Sequence, residues 1–315
     1  MSGLAILGTG RCLPGRCVTN QELSRVVDTS DQWITARTGI RQRYLSTPEE
    51  SLTDQAAQAA RLAMERAGVT PDQIGLVVAG TFTPDHASPS LACEVHGALG
   101  LATTTPAFDV NAACSGFLTA LETARCFLEG ASCGGPCALV IGAEQLSRVM
   151  NMEDRSTCVL FGDGAGAAVV RLDPDHPYTC RLGCRGSAEI LRVGGLGSEN
   201  HWIYMDGKAV FRFASDTVPR ALEELAAQAG TTLDQVDWVV CHQANGRIID
   251  HVIKKLGADP NKFYKNIQRY ANTSSASIIL ALDEMAREGL LQPGQKVACV
   301  GFGAGLTWGA TLLTW

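Results

Sequence analysis

Apolar positions along this chain follow two rhythms. In "DQAAQAARLAMERAG" (54–68) and "VPRALEELAAQAG" (218–230) they recur every three to four residues, the period of a helix with one buried face. Each run ends at a glycine, Gly68 or Gly230, suited to a helix C-cap. A short Val-rich run follows each glycine and reads as a buried strand. The two junctions, "AGVTPDQIGLVV" (67–78) and "AGTTLDQVDWVV" (229–240), agree at seven of twelve positions at a constant offset of 162. A period this long predicts a duplicated α/β domain, not a solenoid.

A weaker correspondence links "CSGFLTALETA", from Cys114, with "SSASIILALDEMA", from Ser274. Both run small residues into a helix with Ala-Leu-acid at its centre. In related halves the two helices start near the shared centre, so Cys114 and "NTSSAS" are expected to be neighbours.

Composition narrows the function classes. Of 315 residues, 46% are apolar and 18% charged, which fits a folded α/β chain and not a disordered one. The net charge of −6 argues against nucleic-acid binding over the whole surface. No run approaches the ~18 apolar residues of a membrane span. The N-terminus lacks the basic and apolar regions of a secretion signal, so a cytoplasmic protein with reduced thiols is expected. Twelve cysteines include Cys133/Cys137 and Cys180/Cys184, each pair with three residues between. "CGGPC" reads as a surface turn and "YTCRLGCRG" as an exposed or edge strand, so no metal site is expected. "LGTGRC" lacks the third glycine of a dinucleotide fingerprint and runs into Pro14.

Candidate chemistry begins in "FDVNAACSGF". Residues 104–110 read as a strand. Phe117, Ala120, Leu121, Ala124 and Leu128 then follow helical spacing up to Gly130. Cys114 falls at the helix start, where free N–H groups and the macrodipole favour a thiolate nucleophile. Small neighbours leave room for a substrate. His242, in "VVCHQANGRIID", directly follows a strand, where α/β proteins place their sites. Asn272, in "RYANTSSAS", offers an amide donor on the loop before the second repeat's helix. Singly, each has a structural explanation: a helix-start thiol, a core imidazole, a turn amide. Together they supply a nucleophile and two neutral donors for one carbonyl oxygen. "GFGAGLTWG" adds a glycine-rich turn able to lend a backbone N–H.

With these motifs in order, the chain resembles the β-ketoacyl-acyl-carrier-protein synthase III family of the thiolase superfamily. The resemblance runs through "TSDQWITARTGIRQR", "PAFDVNAACSGF", "DRSTCVLFGDGAGAAVV", "HQANGRIID", "NTSSAS" and "GFGAGLTWG". It implies a duplicated αβαβα five-layer fold, with halves at 1–171 and 172–315, and a homodimer. It implies decarboxylative condensation of an acyl-CoA primer with malonyl-acyl-carrier-protein, initiating type II fatty acid synthesis without metal or redox cofactor. Starter loading in a polyketide or other specialised pathway is the alternative. By the resemblance Cys114 is the nucleophile, His242 and Asn272 hold the enolate, and the N–H groups of Cys114 and Ala304 form an oxyanion hole. Trp33, Arg37, Arg155 and Asn245 then bind CoA. Arg212, Arg247, Lys254 and Lys255 bind the carrier protein, with His251 on the same helical face. Ser88, from the dimer mate, and Phe302 bound the acyl pocket.

The chain departs from the family pattern at three places. Ala271 precedes Asn272 where Gly is frequent, and Arg212 replaces a frequent Lys. Ser88 stands where a bulky Phe is common, which implies room for a longer or branched primer. Among rivals, a biosynthetic thiolase would need a second cysteine, yet alignment through "GLTWGA" puts Phe302, not Cys299, at that position. Chalcone-synthase-like enzymes are longer. A non-catalytic thiol-rich redox or metal-binding module is the reading from another class.

Overall fold

The computed structural model describes residues 3–130, 133–195 and 197–315. Two five-stranded sheets carry one topology. The first contains β1 (Leu4–Cys12), β2 (Ile74–Gly80), β3 (Ala107–Val110), β4 (Cys137–Glu144) and β5 (Gly164–Leu172), in the order β1-β5-β4-β2-β3. The second contains β6 (Tyr178–Ser187), β7 (Trp238–Cys241), β8 (Phe263–Tyr264), β9 (Lys296–Gly303) and β10 (Gly305–Thr314), in the order β6-β10-β9-β7-β8. Adding five to each strand number of the first order gives the second. Pairing sense agrees too: β1-β5-β4 and β6-β10-β9 are antiparallel, while β4-β2-β3 and β9-β7-β8 are parallel.

The helices used below are α1 (Asp31–Thr38), α2 (Leu52–Ala67), α3 (Leu91–Leu99), α4 (Gly116–Glu129), α5 (Gly207–Gln228), α6 (Gly246–Leu256) and α7 (Ala276–Arg287). The repeated sequence builds repeated structure. α2 ends at Gly68 (φ +63°), and α5 is followed by Gly230 (φ +65°), both left-handed as a helix stop requires. Thr70 with Gln73, and Thr232 with Gln235, then form matching capping boxes at the turns that feed β2 and β7.

Strand alternation explains the five layers. In β2, Leu76 and Val78 face inward to Phe117, Leu121 and Leu282, while Val77 and Ala79 face outward to Ala60 and Ala63 of α2. In the second sheet, Val240 and Cys299 face the same inner layer, while Val239, Ala298 and Val300 face Leu222 of α5 and Ile249 of α6. Both faces are covered, which is why these strands read as unbroken apolar runs. α4 and α7 make the central layer. Phe117, Leu118 and Leu121 are fully buried there, each worth about 1.5–3 kcal/mol of burial.

α7 is buried almost all round, its acids included. Asp283 meets Arg66 at 2.5 Å, and Glu284 meets Arg11 at 2.9 Å and Arg269 at 2.6 Å. Removing one partner of such a pair costs about 3–5 kcal/mol, because the other charge is left in the core.

The central helices begin side by side, through backbone contacts that only small residues permit. A Cβ on Gly80 would meet the Gly116 carbonyl carbon at 2.5 Å, and one on Gly142 would meet Ser275 O at 2.5 Å. Ser275 Oγ donates to Gly80 O at 2.7 Å. The start of α4 and the "NTSSAS" loop are therefore neighbours, although about half the chain separates them.

Two local readings change. The strand expected from residue 104 is shorter, because Pro106 has no N–H to offer a ladder. Cys137 is not in a surface turn: it opens β4 and is buried. Cys180 and Cys184 do lie on an edge strand, β6. Among the described residues, no helix is long and apolar enough to cross a membrane.

Candidate active site

A cavity of about 790 Å³ opens where α4 and α7 begin, and Cys114, His242 and Asn272 all line it. Three separate connections deliver them: the turn after β3, the end of β7 and the loop before α7.

Cys114 sits in a single 3-10 turn, Ala113–Ser115, that leads into α4. Ala113 takes a left-handed φ of +46°, open to a side chain this small only at some strain. The closing turn approaches from the other half. A Cβ on Gly303 would lie 2.7 Å from Cys114 N, so no larger residue fits there. Burial pushes the Cys114 thiol up to about 12, with the Glu144 charge adding to the rise and a hydrogen bond from Ser274 opposing it. Desolvation therefore works against the helix start.

His242 follows the last residue of β7 and is held by its N–H on Val300 O at 2.7 Å. Its Nδ1 lies 2.6 Å from Ser277 Oγ, which also accepts the Gln243 N–H at 3.3 Å. With the Ser277 proton given to Nδ1, the ring's own proton sits on Nε2. Burial lowers the imidazole to about 3, leaving it neutral at physiological pH. Phe302 stands edge-on to the ring, with centroids 5.5 Å apart.

Asn272 is oriented by one bond. Its Oδ1 accepts the Ser274 N–H at 2.9 Å, which turns Nδ2 away as a donor. Its backbone is fixed on both sides, N–H to Leu160 O and O to Gly162 N–H, both at 3.0 Å. A neutral imidazole N–H and an amide N–H thus share the cavity with one thiol, and no cation is among them.

The remaining candidates divide. Ala304, Asn245, Trp33, Arg37 and Phe302 line the same cavity. The Arg155 and Arg37 guanidinium carbons lie 5.2 and 5.7 Å from the Trp33 ring centroid. Arg155 is also tied to Asp28 O at 2.8 Å. Asn245 caps α6 by accepting the Arg247 N–H. Arg212, Arg247, His251 and Lys254 are exposed; Lys255 is exposed but paired with Asp216 at 2.9 Å. Ser88 is exposed and does not line the cavity of its own chain.

Sequence reasoning missed Ser274, Ser277 and Glu144, all buried. The serines stand within "NTSSAS", where polarity inside a packed segment is a signal. Glu144 carries a comparable one, an acid closing the apolar run "ALVIGAE".

Two identically wound sheets, with Cys, His and Asn meeting at their junction, define a thiolase-like condensing enzyme. Residues 108–184 match the family model for 3-oxoacyl-[acyl-carrier-protein] synthase III, and residues 226–315 match the model for its C-terminal part. The β-ketoacyl-[acyl-carrier-protein] synthase III of Clostridium acetobutylicum is 42% identical, over 100% of this chain and 99% of that protein. The 3-oxoacyl-[acyl-carrier-protein] synthase III structure from Aquifex aeolicus is 41% identical, covers 100% of both chains and superposes with a TM-score of 0.94. A priming β-ketosynthase of the R1128 polyketide pathway is 36% identical, covering 99% of this chain and 96% of that one, with a TM-score of 0.91. The chain belongs to the 3-oxoacyl-[acyl-carrier-protein] synthase III family, and is an acyltransferase.

The neutral imidazole has a consequence for stability. An unfolded histidine protonates near 6.5, whereas folded His242 resists until about 3. Stability from this group is complete above 6.5 and falls as pH drops, by about 1.4 kcal/mol per unit within that window. Urea-unfolding free energies at pH 6.5 and 5 should therefore differ more in the wild type than in His242→Gln.

Proposed function

We propose that this cavity joins an acyl-CoA primer to malonyl-acyl-carrier-protein, releasing CO2 and CoA, to initiate type II fatty acid synthesis. The observation that carries the reading is the convergence of Cys114, His242 and Asn272 on one cavity. Cys114 attacks the thioester, and the backbone N–H groups of Cys114 and Ala304 receive the oxyanion. CoA leaves, with Trp33, Arg37, Arg155 and Asn245 serving as its binding residues. The malonyl thioester then binds. His242 Nε2–H and Asn272 Nδ2–H donate to its oxygen, which takes up negative charge as CO2 departs. The carbanion attacks the acyl-cysteine, and sulfur leaves. Loss of CO2 creates the carbon nucleophile, so a neutral imidazole suits the step and no metal or redox cofactor enters it. The R1128 likeness supports a second reading, loading of a polyketide starter, at lower identity.

Intact-mass analysis after incubation with acetyl-CoA tests the nucleophile. One acetyl adduct is expected, and none in Cys114→Ala; adducts scattered over several cysteines would overturn the reading.

The carrier protein docks, on this proposal, on the basic face of α6 and the nearby Arg212. Acidic partners are drawn to such a patch on an otherwise acidic protein. Lys254→Glu should raise KM for malonyl-acyl-carrier-protein several-fold, more at low salt, and leave acylation by acetyl-CoA unchanged.

A homodimer is proposed through β3, the edge strand of the first sheet. Its four residues are half-buried, and Phe108 meets the partly exposed Phe127 with centroids 5.2 Å apart. An uncovered edge of this kind pairs readily with a second copy. Asp109 on this strand accepts the N–H groups of Leu91 and Ala92 at the start of α3, which holds the Ser88 loop beside the edge. The partner's copy of that loop would thus reach the acyl pocket. Light scattering should give twice the chain mass, falling to one chain in Phe108→Lys. The two halves, 1–171 and 172–315, and a cytoplasmic location complete the proposal.

A further inference from the structure

We propose that the Thr307 hydroxyl, with Ser115 beside it, clamps the turn carrying Cys114 to the turn carrying Ala304, and so sets the spacing of the two N–H groups that receive the oxyanion. Thr307 is thereby a positioning residue. The inference rests on the proposed acylation of Cys114, with those two N–H groups as its donors.

The two turns come from segments far apart in the chain. Cys114 lies in the 3-10 turn Ala113–Ser115, and Ala304 is the single residue between β9 and β10. They touch: a Cβ on Gly303 would lie 2.7 Å from Cys114 N and 3.0 Å from Cys114 Cβ. Van der Waals contact sets how near the turns come, but not which way their peptide planes face.

Hydrogen bonds set that. Thr307 Oγ1 lies 2.9 Å from Ala112 O in one turn and 2.9 Å from Ala304 O in the other. Its one proton is shared between the two carbonyls. Ser115 Oγ stands 2.8 Å from Ala112 O and 3.0 Å from Thr307 Oγ1, bringing a second proton to the group. Thr307 Cγ2 packs against Gly305, where an added Cβ would meet it at 2.7 Å, so the hydroxyl keeps its direction. Among the described residues, no other hydrogen bond joins the two turns.

Each clamped carbonyl belongs to the peptide next to one of the donors. The peptide between Ala112 and Ala113 is held at both ends, its oxygen by the hydroxyls and its N–H by Asn111 Oδ1 at 3.2 Å. Only the dihedrals of Ala113 (φ +46°) then separate it from the Cys114 N–H. The peptide between Ala304 and Gly305 is held through Ala304 O, which accepts the Thr307 N–H at 3.2 Å as well as the hydroxyl. Only the dihedrals of Ala304 separate it from the Ala304 N–H. One hydroxyl thus refers both donors to a common point, as two N–H groups aimed at one oxygen require. Without it either peptide can turn and one donor bond lengthens. The loss falls on the charged transition state, and hardly on the neutral thioester, so acylation slows while acetyl-CoA binding is kept.

Acetylation by acetyl-CoA and alkylation by iodoacetamide, both followed at Cys114 by peptide mass, test the clamp. Alkylation joins sulfur to a saturated carbon as iodide leaves, and no oxyanion forms. Thr307→Val keeps the shape and loses the hydroxyl. Its limiting acetylation rate should fall about 10²-fold, with half-saturation by acetyl-CoA and the alkylation rate unchanged. Thr307→Ser should restore acetylation. Ser115→Ala should show the same selective loss, and carries the test if Thr307→Val does not fold. Acetylation untouched in Thr307→Val overturns the clamp. So does an equal loss with both reagents, which means that the sulfur itself has moved, or a loss that serine fails to restore. A wild type alkylated but not acetylated at Cys114 overturns the nucleophile and the clamp together.

Discussion

The close approach of two helix starts sets the rest of this molecule. Gly80, Gly116, Gly142 and Ser275 meet backbone to backbone, with no room for an added methyl group at Gly80 or Gly142. That contact brings the first residues of α4 and α7 together at one end of the central layer. Each half alone would present one helix start to solvent. Joined, they flank a cavity lined largely by apolar surface, with Gly303 of the closing turn on its wall.

Enclosure decides the charge states inside. The same desolvation raises the Cys114 thiol, lowers the His242 imidazole and raises the Glu144 carboxyl. Each shift moves a group towards its neutral form, as burial demands. The site at rest is therefore a thiol, a neutral imidazole and an amide, with one carboxyl group held near its titration point. Such a site suits chemistry in which negative charge arises on the substrate and meets prearranged N–H donors. Their aim is fixed by neighbours: Ser277 holds the imidazole ring at Nδ1, and the Ser274 N–H sets the asparagine flip.

Much of this was legible in the sequence. The junction "AGVTPDQIGLVV" and its partner "AGTTLDQVDWVV" carry helix stop, capping box and buried strand as local code, and each forms the same element in both halves. Cys114, His242 and Asn272 stand at element ends whose positions follow from those patterns. The upward push on the Cys114 thiol was not legible, because a helix start is a local feature while desolvation depends on what closes over it.

The sequence by itself determined the duplication, the alternation of strand and helix, and the residues able to react, since each is encoded within a dozen neighbouring positions. Tertiary structure alone decided that two serines at the start of α7 would meet a glutamate at the end of β4. It also decided that His242 and Glu144 would lose their water. Hydrogen-bond partners and solvent exclusion arise between segments far apart in the chain, and no local pattern specifies them.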